Sequence, residues 1–182
     1  MNTALLIIDV QKDYFPGGKM ELQGSIEAGL KIKELLKEFR AEKKEIIHIK
    51  HISMRPGATF FIPDTEGVDF HENVVPFEGE TVFVKNYPNS FRDTGLLEYL
   101  NRKNIKRLVI TGMMTHMCID TTVRAAFDYG FECIVAGDCC ATRGLNFGGR
   151  DIEAGHVQDA FLAALDGVFA KVKNSDQILK SV

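Results

Sequence analysis

The chain carries a carboxylate at Asp9, an amine at Lys85 and a thiol at Cys118, each where a regular element is predicted to begin or end. A thiolate attacks carbonyl carbon, and a nearby carboxylate can remove the thiol proton and later return it to a leaving group. An ammonium group would stabilise both negative charges. Taken singly, Asp9 also fits a structural ion pair, Lys85 a surface lysine and Cys118 a small buried hydrophobe. The chemical interpretation therefore requires a fold that brings the three side chains together.

Short apolar runs alternate with segments of helical spacing along the chain. The runs predict strands over residues 4–10, 46–52, 81–85, 107–112, 131–136 and 168–172. The spacing predicts helices over 26–43, 95–102, 117–129 and about 151–165, and then a short tail helix. In the third of these helices, the residues expected to face inward are Ile119, Val123, Ala126 and Phe127. Six strands separated by helices predict the α/β class: a three-layer α-β-α fold with a six-stranded parallel, Rossmann-like sheet.

Ligands of open α/β sheets bind beyond the carboxyl ends of the strands. The first predicted strand ends at Asp9, the third at Lys85 and the fifth at Asp138. The fourth ends at Gly112, shortly before Cys118 opens a helix whose N–H groups favour a thiolate. An acid, an amine and a thiol are therefore expected at one edge of the sheet.

A long irregular stretch, residues 53–79, separates the second and third predicted strands and is interrupted by proline and glycine. Loops of this length in compact domains usually have a function or act as lids. Within it, residues 55–63 are expected to cover a pocket or to form an oligomer contact.

The composition excludes several classes of protein. The 182 residues predict a single domain, residues 1–182, and a net charge of −3 offers no general attraction for nucleic acid or anionic lipid. No apolar run approaches the roughly 20 residues of a membrane helix, and the start of the chain lacks the features of a signal peptide. A cytoplasmic location is therefore expected. The four cysteines fit no zinc spacing, and the adjacent Cys139 and Cys140 are interpreted as packing residues.

Several ordered motifs resemble the isochorismatase-like cysteine hydrolases, a superfamily that includes nicotinamidases and N-carbamoylsarcosine amidases. Residues 7–15, IIDVQKDYF, are similar to its opening strand motif. Lys85 followed by residues 89–91 (NSF) and 94–96 (TGL) resembles its lysine motif. Residues 109–122, VITGMMTHMCIDTT, resemble its nucleophile loop, and residues 138–143 the loop that follows it. The resemblance extends from about residue 3 to 172 in the expected order.

This resemblance implies a mechanism and a catalytic triad. Asp9 would deprotonate Cys118, whose thiolate would attack the carbon of a small carboxamide or N-carbamoyl group, while Lys85 supports the charges. The family's cis peptide in the nucleophile loop would here join Met113 to Met114. The N–H groups of Met114 and Cys118 would then form the oxyanion hole. Ammonia or an amine would leave, and water would hydrolyse the acyl-enzyme.

The resemblance also indicates which residues contact the substrate. The set predicted is Gln11, Phe15, Phe91, Thr115 and Arg143. Arg143 stands where the carbamoylsarcosine-hydrolysing relatives bind a carboxylate, although a helix cap or a salt bridge fits it equally well. Tyr14 is a further candidate for an apolar pocket wall.

No metal and no cofactor are expected. His51 and Ser53 stand at the positions of the metal-binding Asp-x-His pair of nicotinamidases, so neither position has the residue type of that pair. Residues three apart on a strand, such as His48 and His51, face opposite sides, which disfavours a zinc site shared by the two histidines. A nucleotide-binding module is disfavoured because the first strand is not followed by a glycine-rich turn.

Other functions remain open beside the amidase interpretation. They are a vinyl-ether hydrolase of the isochorismatase type, a non-catalytic family member acting as a scaffold, and a redox role for Cys118. By analogy with the family, the expected partners are a small-molecule substrate and further copies of the chain in a dimer or tetramer, with neither nucleic acid nor membrane.

Overall fold

The computed structural model describes residues 2–180, which form an α/β fold around one parallel sheet. The strands are β1 (Thr3–Ile8), β2 (Glu45–His51), β3 (Thr81–Lys85), β4 (Arg107–Met113), β5 (Glu132–Ala141), β6 (Leu145–Phe147), β7 (Arg150–Ile152) and β8 (Lys171–Lys173). The helices are α1 (Ser25–Ala41), α2 (Leu96–Arg102), α3 (Asp120–Asp128), α4 (Ala154–Leu165) and α5 (Ser175–Leu179). Six strands pair in the order β3-β2-β1-β4-β5-β8, all parallel. The predicted fold class is confirmed.

The central strands are apolar throughout because both faces of the sheet are covered. In β1, Leu5 and Ile7 pack into one core cluster, and Leu6 and Ile8 into the other. Helices α1 and α5 cover the first face, and α2, α3 and α4 contribute to the second. The chain order reverses between β1 and β4, which creates a topological switch point at their carboxyl ends.

The nucleophile segment begins differently from the predicted helix over 117–129. A π-helical turn, Thr115–Ile119, precedes α3 and contains Cys118. Ile119, Val123 and Ala126 are buried as predicted, but Phe127 is 42% exposed, so that part of the prediction is wrong. The buried positions follow a spacing of four and three residues, which places Phe127 beyond the edge of the apolar stripe.

The prediction also placed the end of the fifth strand wrongly, because β5 continues to Ala141 past a register irregularity opposite Ile110 and Gly112. Asp138 therefore lies within β5, and its carboxylate accepts hydrogen bonds from the backbone N–H and hydroxyl of Ser175, at the start of α5. Asp138 anchors the tail helix instead of marking the edge where the other strands end.

Two further boundaries differ near the C-terminus. Residues 150–152 belong to an antiparallel hairpin of β6 and β7, so α4 begins only at Ala154. The last strand is Lys171–Lys173 instead of residues 168–172, and the short tail helix is present as α5.

The long connection between β2 and β3 contains two short 3-10 turns, Glu66–Val68 and Glu72–Val74. Phe61 is buried there, and its N–H donates to the carboxylate of Asp13 at 2.6 Å. Within residues 2–180, no helix is long and apolar enough to cross a membrane.

Candidate active site

The carboxyl ends of four neighbouring strands place the candidate residues side by side. Lys85 ends β3, His51 ends β2, and Asp9 follows β1. His51 and Lys85 are direct partners in the parallel ladder. Cys118 lies in the π-helical turn after β4, across the switch point from Asp9.

Gly112 allows β1 and β4 to approach closely just below the site. Its φ of +122° is a conformation that favours glycine, and a Cβ atom there would lie 1.9 Å from the carbonyl oxygen of Ile8. Ile8 and Gly112 are paired in the ladder immediately before Asp9. The glycine therefore helps to set the spacing between the carboxylate and the nucleophile loop.

The ammonium group of Lys85 joins the three predicted catalytic residues. Its Nζ lies 2.8 Å from Oδ2 of Asp9 and 3.1 Å from Sγ of Cys118. All three side chains are buried: the exposed fraction is 0% for Asp9, 1% for Lys85 and 3% for Cys118. The fold thus assembles the acid, the amine and the thiol that the sequence suggested.

Two further groups complete the surroundings of the ammonium. Nδ1 of His51 lies 2.9 Å from Nζ, and the carbonyl oxygen of Tyr87 accepts a hydrogen bond from Nζ at 3.0 Å. Sequence reasoning considered His51 only as a metal ligand and did not consider Tyr87. The sequence did contain one signal for His51: it stands near the end of the predicted strand that lies along the chain between the strands ending at Asp9 and Lys85.

Burial and charge act against each other at Asp9 and Lys85. Burial is the largest single effect at Asp9 and favours the neutral carboxyl, but the charge of Lys85 and the smaller contributions of His51 and Cys118 together outweigh it and lower the pKa. Burial is likewise the largest effect at Lys85 and favours a neutral amine, but Asp9 and Cys118 together outweigh it and raise the pKa. The two groups therefore form a buried ion pair.

Cys118 is a thiol in this arrangement. Burial and then the Asp9 carboxylate raise the pKa of the thiol well above its ordinary value, and Lys85 offsets only part of this. The thiolate expected from a helix start is thus not the ground state, because a desolvated sulfur beside a carboxylate keeps its proton.

The nucleophile loop has the cis peptide that the resemblance implied, between Met113 and Met114. The carbonyl oxygen of Met114 accepts hydrogen bonds from the N–H groups of Met117 and Ile119. The N–H of Met114 donates to no residue within the described part of the chain, 2–180, and is therefore free for a ligand.

Three of the predicted substrate contacts are engaged within the protein. Gln11 donates to the carbonyl oxygens of His51 and Val68 and accepts from the N–H of His51. Phe15 stacks on the ring of His71 at 3.6 Å, and the hydroxyl of Thr115 donates to the side chain of Gln158 at 2.6 Å. These contacts favour a structural role for Gln11, while all three assignments stay predictions.

The other predicted contacts differ in exposure. Phe91 packs edge-on against Tyr129 and stacks on Phe131. Arg143 is exposed, and its guanidinium donates to the carbonyl oxygen of Gly144 at 3.3 Å, so most of its donors are open to a ligand. Its positive charge acts on His116 in the nucleophile loop, where it lowers the pKa of the ring after the larger effect of burial.

The triad lies apart from a cavity of about 850 Å³ between α1 and the loop over residues 59–73, which Asp9, Lys85 and Cys118 do not line. Tyr14, in contrast, is buried close enough to the triad that burial, and then the charges of Cys118 and Asp9, raise the pKa of its hydroxyl. The opposite charges of Asp9 and Lys85 thus meet beside Cys118 and not at this cavity.

A metal-type cluster coincides with the triad. Ligand atoms of Asp9, His51 and Cys118 lie within 4.8 Å of one another, and the ammonium of Lys85 lies among them. A cation bound to all three would have to displace that ammonium. His48 faces the opposite side of β2 and contacts Glu80, so it cannot join such a cluster.

An isochorismatase domain matches residues 3–177. The chain belongs to the isochorismatase family. It is 48% identical over 180 residues to YddQ, an uncharacterized isochorismatase family protein of Bacillus subtilis, covering 99% of this chain and 100% of that one. The crystal structure of a protein from Oleispira antarctica assigned as an isochorismatase hydrolase matches with a TM-score of 0.95 and 43% identity, over 98% of this chain and 96% of that one.

A more distant family relative is the nicotinamidase/pyrazinamidase of Mycobacterium tuberculosis. It is 28% identical over 185 residues, which cover 90% of this chain and 92% of that one. This chain is thus an isochorismatase-family hydrolase.

Proposed function

We propose that this protein is a cysteine hydrolase that cleaves a C–N bond of a small carboxamide or N-carbamoyl substrate through a Cys118 acyl-enzyme. The observation that carries the proposal is the buried contact of one ammonium group with both a carboxylate and a thiol, at 2.8 and 3.1 Å. The nicotinamidase/pyrazinamidase relative supports the amidase type of reaction.

In the proposed first step, the proton of the Cys118 thiol moves to Asp9 as the sulfur attacks the carbonyl carbon. The raised pKa of the thiol means that the proton leaves only when substrate is in place to receive the electron pair. The ammonium of Lys85 stabilises the sulfur as its charge develops.

In the following steps the carbonyl oxygen becomes an oxyanion, which the free N–H of Met114 and the N–H of Cys118 would stabilise. Asp9 then returns the proton to the leaving nitrogen, and ammonia or an amine departs from a thioester. Water attacks the thioester, gives its proton to Asp9 and releases the acid, and the proton returns to the sulfur.

The substrate class is narrowed by the exposed guanidinium of Arg143. Its open donors suit a carboxylate on the substrate, as in N-carbamoyl amino acids and ureido acids. The expected oligomer, the cytoplasmic location and the lack of a metal remain predictions alongside this proposal.

The test is ammonia release from a panel of small amides, N-carbamoyl amino acids and nicotinamide. We expect release that is lost in Cys118→Ala and unchanged by a chelator. Substrates with a carboxylate should be favoured, and Arg143→Gln should remove that preference. Release that persists in Cys118→Ala would reject the thiol mechanism, and release lost on chelation would require a metal.

A further inference from the structure

His51 is held rigidly beside the ammonium of Lys85. Its backbone N–H donates to Oε1 of Gln11 at 2.7 Å, and its carbonyl oxygen accepts from Nε2 of the same residue at 2.9 Å. It pairs with Lys85 in the ladder, and its ring lies 5.7 Å from that of Phe61. The backbone of His51, and with it the position of Nδ1, is therefore held by the sheet and by the side chain of Gln11.

The hydrogen bonds of the ammonium group are fully used without Asp9. An ammonium has three N–H donors. They are directed to Nδ1 of His51 at 2.9 Å, to the carbonyl oxygen of Tyr87 at 3.0 Å and to Sγ of Cys118 at 3.1 Å. Oδ2 of Asp9 lies 2.8 Å from Nζ, yet neither carboxylate oxygen has a well-directed hydrogen bond within residues 2–180. The carboxylate is held mainly by the charge of Lys85.

The hydrogen-bonding role of His51 follows from these distances. An ammonium can only donate, so Nδ1 accepts the hydrogen bond through its lone pair. The separation of 3.7 Å between Nδ1 and Oδ2 of Asp9 is too long for a hydrogen bond. His51 therefore acts as an acceptor for Lys85, and its contact with Asp9 is the longer of the two.

We propose that His51 is a positioning residue: by accepting one N–H of Lys85, it directs another N–H to the Cys118 sulfur and keeps the Asp9 carboxylate free to receive the thiol proton. This inference rests on the proposed function, since it assigns the arrangement that makes Cys118 a nucleophile. No covalent bond to His51 is involved, and all three protons of the ammonium stay on Lys85.

Two substitutions separate the acceptor from the volume of the ring. In His51→Leu the released N–H has Asp9 as its nearest remaining acceptor, so the carboxylate becomes engaged and receives the thiol proton less readily. In His51→Asn an amide oxygen takes the place of Nδ1 and can accept the same N–H. His48→Leu is the matched control, because it removes a histidine from the opposite face of the same strand.

The experiment measures the alkylation rate of Cys118 by iodoacetamide across pH, with the modified peptide identified by mass spectrometry. It needs no substrate, and Cys118→Ala gives the background. We expect His51→Leu to slow alkylation by about tenfold to a hundredfold and to shift its pH profile to higher pH. His51→Asn and His48→Leu should stay within a few-fold of the wild type.

The outcomes distinguish this inference from the proposed function. A wild-type rate and pH profile in folded His51→Leu would overturn the positioning role alone, as would slowing of His51→Asn and His51→Leu to the same extent. A wild-type Cys118 that does not react would overturn the nucleophile and the positioning role together. If His51→Leu does not fold, His51→Ala against His51→Asn gives the same comparison.

Discussion

Two charge clusters lie on opposite faces of β2, a partly buried one around His48 and a fully buried one around His51. On one face, the carboxylate of Glu80 is saturated: it contacts Nε of Arg40 at 2.6 Å, Nε2 of His48 at 2.8 Å and the N–H of Phe77 at 2.9 Å. On the other face, the carboxylate of Asp9 contacts the ammonium of Lys85 but accepts no well-directed hydrogen bond from the part of the chain that the structure describes.

The difference separates a structural cluster from a reactive one. At Glu80, burial raises the pKa, but the hydrogen bonds from Arg40, Phe77 and His48 lower it to about 2, so this carboxylate is a poor base. At Asp9 the charge of Lys85 is the main effect that opposes burial and lowers the pKa of the carboxyl. A buried ion pair with few well-directed hydrogen bonds costs stability that the fold offsets elsewhere, as is common at functional sites.

The largest contrast is expected from removing the cation of each cluster. Lys85→Met should reduce ammonia release by about a thousandfold and destabilise the fold by about 3–5 kcal/mol, because a buried carboxylate loses its counter-charge. Arg40→Met should cost about 1–3 kcal/mol and leave activity unchanged. Urea unfolding and ammonia assays test both, and equal losses of activity would show that the clusters do not differ in role.

A second prediction concerns the strand contact beneath the site. Gly112→Ala should destabilise the protein by about 2–4 kcal/mol and lower activity, since the new Cβ would meet the backbone of Ile8. Gly155→Ala in α4 is the control, because a Cβ there meets nothing within 4 Å, and alanine should be neutral or slightly stabilising. Equal unfolding midpoints for the two variants would refute the close-approach account.

The smallest effect is a pH dependence of stability from His48. Burial, and to a lesser degree Arg40, lowers its pKa below 6.5 despite Glu80, so the unfolded chain binds the proton more readily than the folded one. Stability from His48 is therefore present above pH 6.5 and is lost as pH falls toward the lower folded pKa.

We expect the free energy of unfolding, measured by urea titration, to fall less between pH 7.5 and 5.5 in His48→Gln than in the wild type, by up to about 1.4 kcal/mol for each unit by which the fold lowers the pKa of His48. His71 and His116 also have lowered pKa values, but they contribute equally to both proteins. An identical pH response would contradict a neutral buried His48.

Much of the site could be predicted because strand ends are visible in the sequence. Apolar runs that stop at Asp9 and Lys85, and a thiol shortly after a third run, place these groups at one sheet edge. The ordered motifs then identified the family. Both inferences depend on local patterns, which the fold preserves.

The features that the sequence did not predict depend on contacts between segments distant in sequence. Gln11 reads as a substrate contact, but its amide is bound to backbone at His51 and Val68. The role of His51 follows from ladder register, which its neighbours in sequence do not encode. The predicted end of β5 was wrong because Gly137 and Asp138 look like a turn in the sequence, whereas pairing with β4 extends the strand to Ala141.

The most direct test of the central claim is to trap the acyl-enzyme. Protein mixed with the best substrate of the ammonia panel would be quenched in acid within the first turnovers and digested, and the peptide containing Cys118 would be weighed. The account predicts an adduct on Cys118 with the mass of the substrate minus ammonia or amine, which Cys118→Ala lacks and Lys85→Met forms far more slowly. Steady ammonia release without any adduct, and with equal rates in Cys118→Ala, would contradict a covalent thiol mechanism.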